Sequence, residues 1–219
     1  MSLADQLRLM VITDAVLLKG RDVVAECRRA VAGGATAVQV RAPDATPRAL
    51  IELTRTLVAA LPVPVLVNDR VDVALVAEAA GAHLGQGDVP LGAVRPWVPA
   101  GFTLGLSVGS DGEADRARHA PADYWSIGPC FPTASKPDAG LPLGPEGFAR
   151  LRSLAPAGVP VIGIGGITAA NAALVTQAGA AGVAVIAAVW GPSDPARAAR
   201  ALRTAVASPR VSPPHAGPA

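Results

Sequence analysis

Short apolar runs rich in Val, Ile and Leu alternate along this chain with longer stretches dominated by Ala, Leu and Arg. The runs that read as strands cover residues 7–13, 37–41, 65–68, 83–84, 103–107, 124–128, 161–165 and 182–186. Their shortness and β-branching favour strands over helices. Helices are expected between and after them, over 22–32, 47–61, 71–80, 92–98, 112–119, 145–154, 169–178 and 195–207. Two of these carry a start signal, Thr46-Pro47 and Asp194-Pro195, in which an N-cap candidate precedes a Pro at the first helical position. Gly33-Gly34 and Gly179 follow helical stretches, where a left-handed C-cap is expected. Strands that each precede a helix imply an all-parallel sheet. A doubly wound open sheet satisfies the same alternation. Eight strand–helix units ending on a helix within 219 residues favour a (β/α)8 barrel of the α/β class. The barrel is expected over residues 1–207 as a single domain, with 208–219, rich in Pro and without periodicity, as a disordered tail.

Composition removes several alternatives. Half of the residues are hydrophobic (51%) but only 3% are aromatic, and the net charge is +2 with Lys and Arg dispersed. No basic run suggests nucleic acid or an anionic membrane surface. Apolar stretches such as 159–167 are too short to span a bilayer and are broken by Gly and Pro. Cys27 and Cys130 form neither a metal-type pair nor a disulfide framework, and no signal peptide is evident. A cytoplasmic protein acting on small molecules is therefore expected, with its oligomeric state left open.

In a barrel of this kind chemistry gathers where the strands finish. Following each run to its end gives Thr13-Asp14, Gln39 and Arg41, Asn68-Asp69-Arg70, Gln86 and Asp88, Ser107, then Thr133, Ser135 and Lys136. The last two runs finish in Gly165-Gly166 and in Ala187-Ala188. Acids, cations, hydroxyls and bare backbone amides at one end suit a polyanion bound with Mg²⁺, which takes oxygen ligands from one or two carboxylates and from phosphate. Taken singly, each has a plainer role. Asn-Asp after a strand also makes a helix cap, Gly-Gly also permits tight packing, and loop hydroxyls mostly stabilise turns. His83 reads as a structural hydrogen-bonder, His119 and His215 as surface residues, and Cys130 as a packed thiol.

Several segments together resemble the thiamine phosphate synthase (thiamine-phosphate pyrophosphorylase) family. They are Val11-Ile12-Thr13-Asp14, Val38-Gln39-Val40-Arg41, Val67-Asn68-Asp69-Arg70, His83-Leu84-Gly85-Gln86-Gly87-Asp88, Gly128-Pro129-Cys130-Phe131-Pro132-Thr133-Ala134-Ser135-Lys136, Ile164-Gly165-Gly166-Ile167 and Gly182-Val183-Ala184-Val185. They run in the family's order from about residue 9 to residue 190. The resemblance implies joining of hydroxymethylpyrimidine diphosphate to thiazole phosphate or its carboxylate, giving thiamine phosphate and diphosphate. It implies that Asp69 and Asp88 hold Mg²⁺, that Arg41, Asn68, Ser107 and Lys136 contact the diphosphate, and that Gln39 lies near the pyrimidine. Thr133, Ser135, the Gly166 amide and the amides around Ile186 and Ala187 would hold the thiazole phosphate. The implied chemistry is dissociative and needs no protein nucleophile.

The pattern departs from the family at three places. Arg41 is followed by Ala42-Pro43, so the Lys usually found two residues after the Arg is missing. Ala187 stands where a Ser is usual, and the stretch before the fourth motif is short, which would shift Asp88. A related thiazole tautomerase carries a catalytic His where this chain has Pro129; retention of Asp69, Asp88 and Lys136 favours the synthase. A barrel that binds thiazole or thiamine phosphates without turnover is the remaining alternative, supported only by Pro43 and Ala187.

Overall fold

The strands that the apolar runs mark close on one another. The computed structural model describes residues 1–135 and 140–207. Its strands are β1 (Leu9–Ile12), β2 (Ala37–Val40), β3 (Val65–Asn68), β4 (Gly81–Leu84), β5 (Thr103–Val108), β6 (Tyr124–Ile127), β7 (Val161–Ile164) and β8 (Gly182–Val185). All are parallel, each pairs with the next, and β8 returns to β1 through Leu9↔Val183, Met10↔Ala184 and Val11↔Val185. The expected barrel is therefore present. The expected tail, 208–219, lies outside the described residues.

Helices α1 (Leu3–Gln6), α2 (Val23–Ala32), α3 (Pro47–Ala60), α4 (Val71–Val76), α5 (Leu91–Val94), α6 (Asp111–Ala117), α7 (Gly144–Ser153), α8 (Ala172–Gln177), α9 (Ala187–Trp190) and α10 (Pro195–Val206) fill the connections. The start signals work as read: Thr46 caps α3 through the Ala49 amide at 3.3 Å, and Asp194 caps α10 through the Ala196 and Arg197 amides at 3.0 and 3.1 Å. Of the glycines expected to stop helices, Gly34 and Gly179 take positive φ, whereas Gly33 stays right-handed as the last cap of α2. Two elements were not expected. The short α1 is nucleated by a capping box between Ser2 and Asp5, and α9 breaks what reads as a simple connection from β8 to α10.

Side chains alternate across each strand. In β1, Leu9 and Val11 join the layer beneath the helices, while Met10 and Ile12 join an inner cluster with Leu66, Tyr124, Ile162 and Ala184. The barrel is thus filled by side chains rather than open. Trp190 of α9 fastens the closure, its Nε1–H donating to Ile12 O at 2.6 Å. Among the described residues no helix is long and apolar enough to cross a membrane.

Candidate active site

From β2 to β5 the strand ends carry the candidate side chains, and local bonds fix the backbone or side chain of several of them. Gln39, inside the barrel on β2, is buried and directs its Nε2–H to Met10 Sδ at 3.4 Å. Arg41 follows β2, and its backbone is clamped by buried Thr13: the Arg41 amide donates to Thr13 Oγ1 at 2.8 Å, and that hydroxyl donates to Arg41 O at 3.1 Å. Asn68 ends β3 opposite His83 of β4. The ladder runs one residue further, with the Asp69 amide donating to His83 O at 2.8 Å. Asp69 itself has φ +63°, a left-handed conformation that Asp tolerates better than most residues. It is exposed there.

Asp88 lies in the loop after β4, and its Oδ2 accepts from the Gly85 amide at 2.6 Å, which holds the carboxylate at the strand end. The two acids therefore stand at the ends of neighbouring strands. Ser107 is on β5, its Oγ 3.0 Å from His83 Nε2, and its carbonyl accepts from Gln86 Nε2 at 2.7 Å. Arg70, which follows Asp69 in the chain, pairs with Asp72, its Nε donating to Oδ1 at 2.8 Å.

From β6 to β8 the ends are backbone. A cis peptide joins Gly128 to Pro129, and the following loop continues the ladder to β7, Cys130 N donating to Ile164 O at 2.7 Å and Phe131 N to Gly165 O at 3.0 Å. Gly165 and Gly166 take φ +90° and +62°. A Cβ on Gly166 would come within 2.4 Å of Pro132 O. Tight packing alone therefore demands glycine here, and it leaves the main chain bare towards the barrel end. Thr133 accepts from the Ser135 amide at 3.3 Å. Lys136, expected at this corner, lies outside the described residues. Ile186 and Ala187 mark the turn from β8 into α9.

Cys130 is fully buried and its thiol is pushed up to about 12 by burial, so it is a packing group and not a nucleophile. His83 is the hydrogen-bonder expected, its ring bonded to both Ser107 and Tyr124. Tyr124 and Gly105 were not expected near the site. Neither ends a strand, and only the pairing of β4, β5 and β6 brings them beside His83. Among the described residues no group of three or more His, Cys, Asp or Glu could enclose a metal.

Comparison with known proteins points one way. The family model described as thiamine monophosphate synthase matches residues 9–189. The thiamine-phosphate synthase of Chloroflexus aurantiacus is 44% identical over 175 residues, covering 78% of this chain and 80% of that protein. That of Roseiflexus castenholzii is 47% identical over 173 residues, covering 77% and 75%. The solved thiamine phosphate pyrophosphorylase from Pyrococcus furiosus superposes with a TM-score of 0.83 at 37% identity, covering 94% of this chain and 98% of that one.

Proposed function

The chain belongs to the thiamine monophosphate synthase family and is a transferase that forms thiamine phosphate, and we propose that it joins hydroxymethylpyrimidine diphosphate to thiazole phosphate, or its carboxylate, by a dissociative route. The observation that carries this reading is the row of Arg41, Asn68, Asp69, Asp88 and Ser107 on the consecutive ends of β2 to β5. In the proposal Arg41, Asn68, Ser107 and Lys136 donate hydrogen bonds to the diphosphate oxygens. A donor aimed at charge that develops as a bond breaks is worth roughly 3–4 kcal/mol in such a site.

Carboxylates at the end of β3 and in the loop after β4 suit Mg²⁺, which takes one or two carboxylates and completes its shell with phosphate oxygens and water. Asp69 and Asp88 would hold it. When bound, Mg²⁺ supplies Lewis-acid stabilisation of the leaving diphosphate. The carbon–oxygen bond of the pyrimidine substrate breaks first, its electron pair leaving with diphosphate, and the thiazole nitrogen then captures the pyrimidinylmethyl cation. Gln39 orients the pyrimidine through its amide, and Met10, Ile12 and Leu66 beneath it exclude water. Thr133, Ser135 and the amides of Gly166, Ile186 and Ala187 hold the thiazole phosphate so that its nitrogen lies close to the cation. The absence of an activated thiol fits a route without a protein nucleophile. Pro129 offers no proton-transfer group where the tautomerase carries its histidine, which supports the synthase over that alternative. We also assign the enzyme to the cytoplasm, because its two cysteines are buried free thiols.

The test mixes both substrates with Mg²⁺ and follows thiamine phosphate by its fluorescent oxidation product. Mg²⁺-dependent product is the expected result; folded protein that makes none would overturn the reading.

A further inference from the structure

Inside the barrel one row of residues crosses three strands. His83 of β4 is opposite Gly105 of β5, and Gly105 is opposite Tyr124 of β6. Residues in one row face the same side of a sheet, so His83 and Tyr124 both point inward with only a glycine between them. A Cβ at position 105 would lie 2.2 Å from Tyr124 Cζ and 2.4 Å from His83 Nδ1. The missing side chain is what lets the two rings meet, and Tyr124 Oη lies 2.8 Å from His83 Nδ1. The second ring nitrogen, Nε2, is 3.0 Å from Ser107 Oγ. Behind the phenol is Gln39, whose amide nitrogen also reaches Met10 Sδ at 3.4 Å.

Three constraints set the proton directions. Tyr124 is fully buried, and burial pushes its phenol far above the ordinary range, so the O–H proton stays in place. A thioether has no proton to give, so the Gln39 group facing Met10 is its NH₂. Gln39 also counters the rise of the phenol, and an NH₂ turned to Met10 has its second hydrogen available for Tyr124 Oη. Tyr124 therefore accepts from Gln39 and gives its own proton to His83 Nδ1. A neutral imidazole has one acceptor and one donor nitrogen. Nε2 then carries the hydrogen and donates to Ser107 Oγ, leaving the serine proton directed outward.

We propose that His83 is a positioning residue that holds Ser107 as a hydrogen-bond donor towards an anionic oxygen at the barrel mouth, with Gln39 and Tyr124 setting the polarity from within. The identity of that oxygen, on the departing diphosphate, rests on the synthase reading; the polarity of the chain does not. With the opposite polarity Ser107 would turn lone pairs towards the anion and repel it.

Two measurements decide the proposal. The first is a long-range ¹⁵N–¹H correlation spectrum of the free protein with ¹⁵N-labelled histidine, in which His83 is picked out from the 3 histidines by its loss in His83→Gln. The Nε2–H tautomer is expected, becoming a mixture in Tyr124→Phe; an Nδ1–H tautomer would overturn the proposal. The second is a cycle with Ser107→Ala. His83→Asn should lower kcat about tenfold, the loss of one hydrogen bond, with KM for the pyrimidine diphosphate changing less. His83→Gln, whose amide can place an N–H near the Nε2 position, should recover most of that rate. In the Ser107→Ala background His83→Asn should change kcat by less than about twofold, because residues acting through one contact do not add. Equal losses in both backgrounds would refute action through Ser107. Wild-type protein with the Nε2–H tautomer but no thiamine phosphate synthesis would sink the synthase reading and leave the polarity standing.

Discussion

Two arcs of the barrel mouth are built differently. From β2 to β5 the strands end in Arg41, Asn68, Asp69, Asp88 and Ser107, with Thr13 clamping the Arg41 backbone and the Gly85 amide holding the Asp88 carboxylate. From β6 to β8 they end mostly in main chain, at Gly128, Gly165-Gly166 and the Ile186–Ala187 turn, with Thr133 and Ser135 on the loop after β6, and loop and strand pack too closely for a Cβ on Gly166. An arc that works through side chains loses a contact with every side chain exchanged. An arc that works through amides keeps its contacts as long as the backbone stays where it is. Two of the three departures from the family pattern therefore differ in weight: Pro43 lies in the first arc and Ala187 in the second.

The largest effect is expected in the side-chain arc. Asp69→Asn and Asp88→Asn should each lower Mg²⁺-dependent turnover by about a hundredfold or more. Asn is the proper replacement at position 69 because it tolerates φ +63°. Near-normal rates in both variants would remove the metal assignment. Next comes Gly166→Ala, which asks a side chain to occupy φ +62° within 2.4 Å of Pro132 O. It should destabilise the fold by about 2–3 kcal/mol, visible as a fall in Tm, and raise KM for thiazole phosphate more than KM for the pyrimidine substrate. An unchanged Tm and KM would contradict a backbone-built arc.

Smaller effects test the departures themselves. Pro43 is exposed in a turn, so Pro43→Lys can add a cation without displacing anything. Inhibition by added diphosphate should tighten about tenfold, the worth of one charge-assisted contact. Ala187→Ser should do least, lowering KM for thiazole phosphate by no more than about threefold. A gain at position 187 larger than that at position 43 would invert the comparison between the arcs.

The positions of the candidate site residues were legible where they follow the strands outward. Asn68-Asp69 and Ser107 lie where reading each apolar run to its end puts them, because strand direction alone assigns an end to the mouth. Asp88 was read from the end of the fourth run and from its motif, but its placement at the strand end depends on the loop bond to Gly85. Gly165-Gly166 could be read as packing or as an open backbone. The contact with Pro132 that demands glycine lies across a strand pair and leaves no local mark. Thr13 read as a mouth residue, yet its hydroxyl is spent on the Arg41 backbone.

The sequence by itself determined the order of elements, the parallel sense of the sheet and the end at which chemistry gathers. Those properties arise from period, capping and connection, which act over neighbouring residues. Only the tertiary structure decided that β8 meets β1, that Trp190 seals the seam at Ile12, and that α9 interrupts the last connection. It also decided that His83 and Tyr124, 41 residues apart, touch across Gly105. Each of these depends on register between strands remote in the chain. That glycine reads only as one more residue of a strand along the chain, and becomes the space for a hydrogen bond once its neighbours are in place.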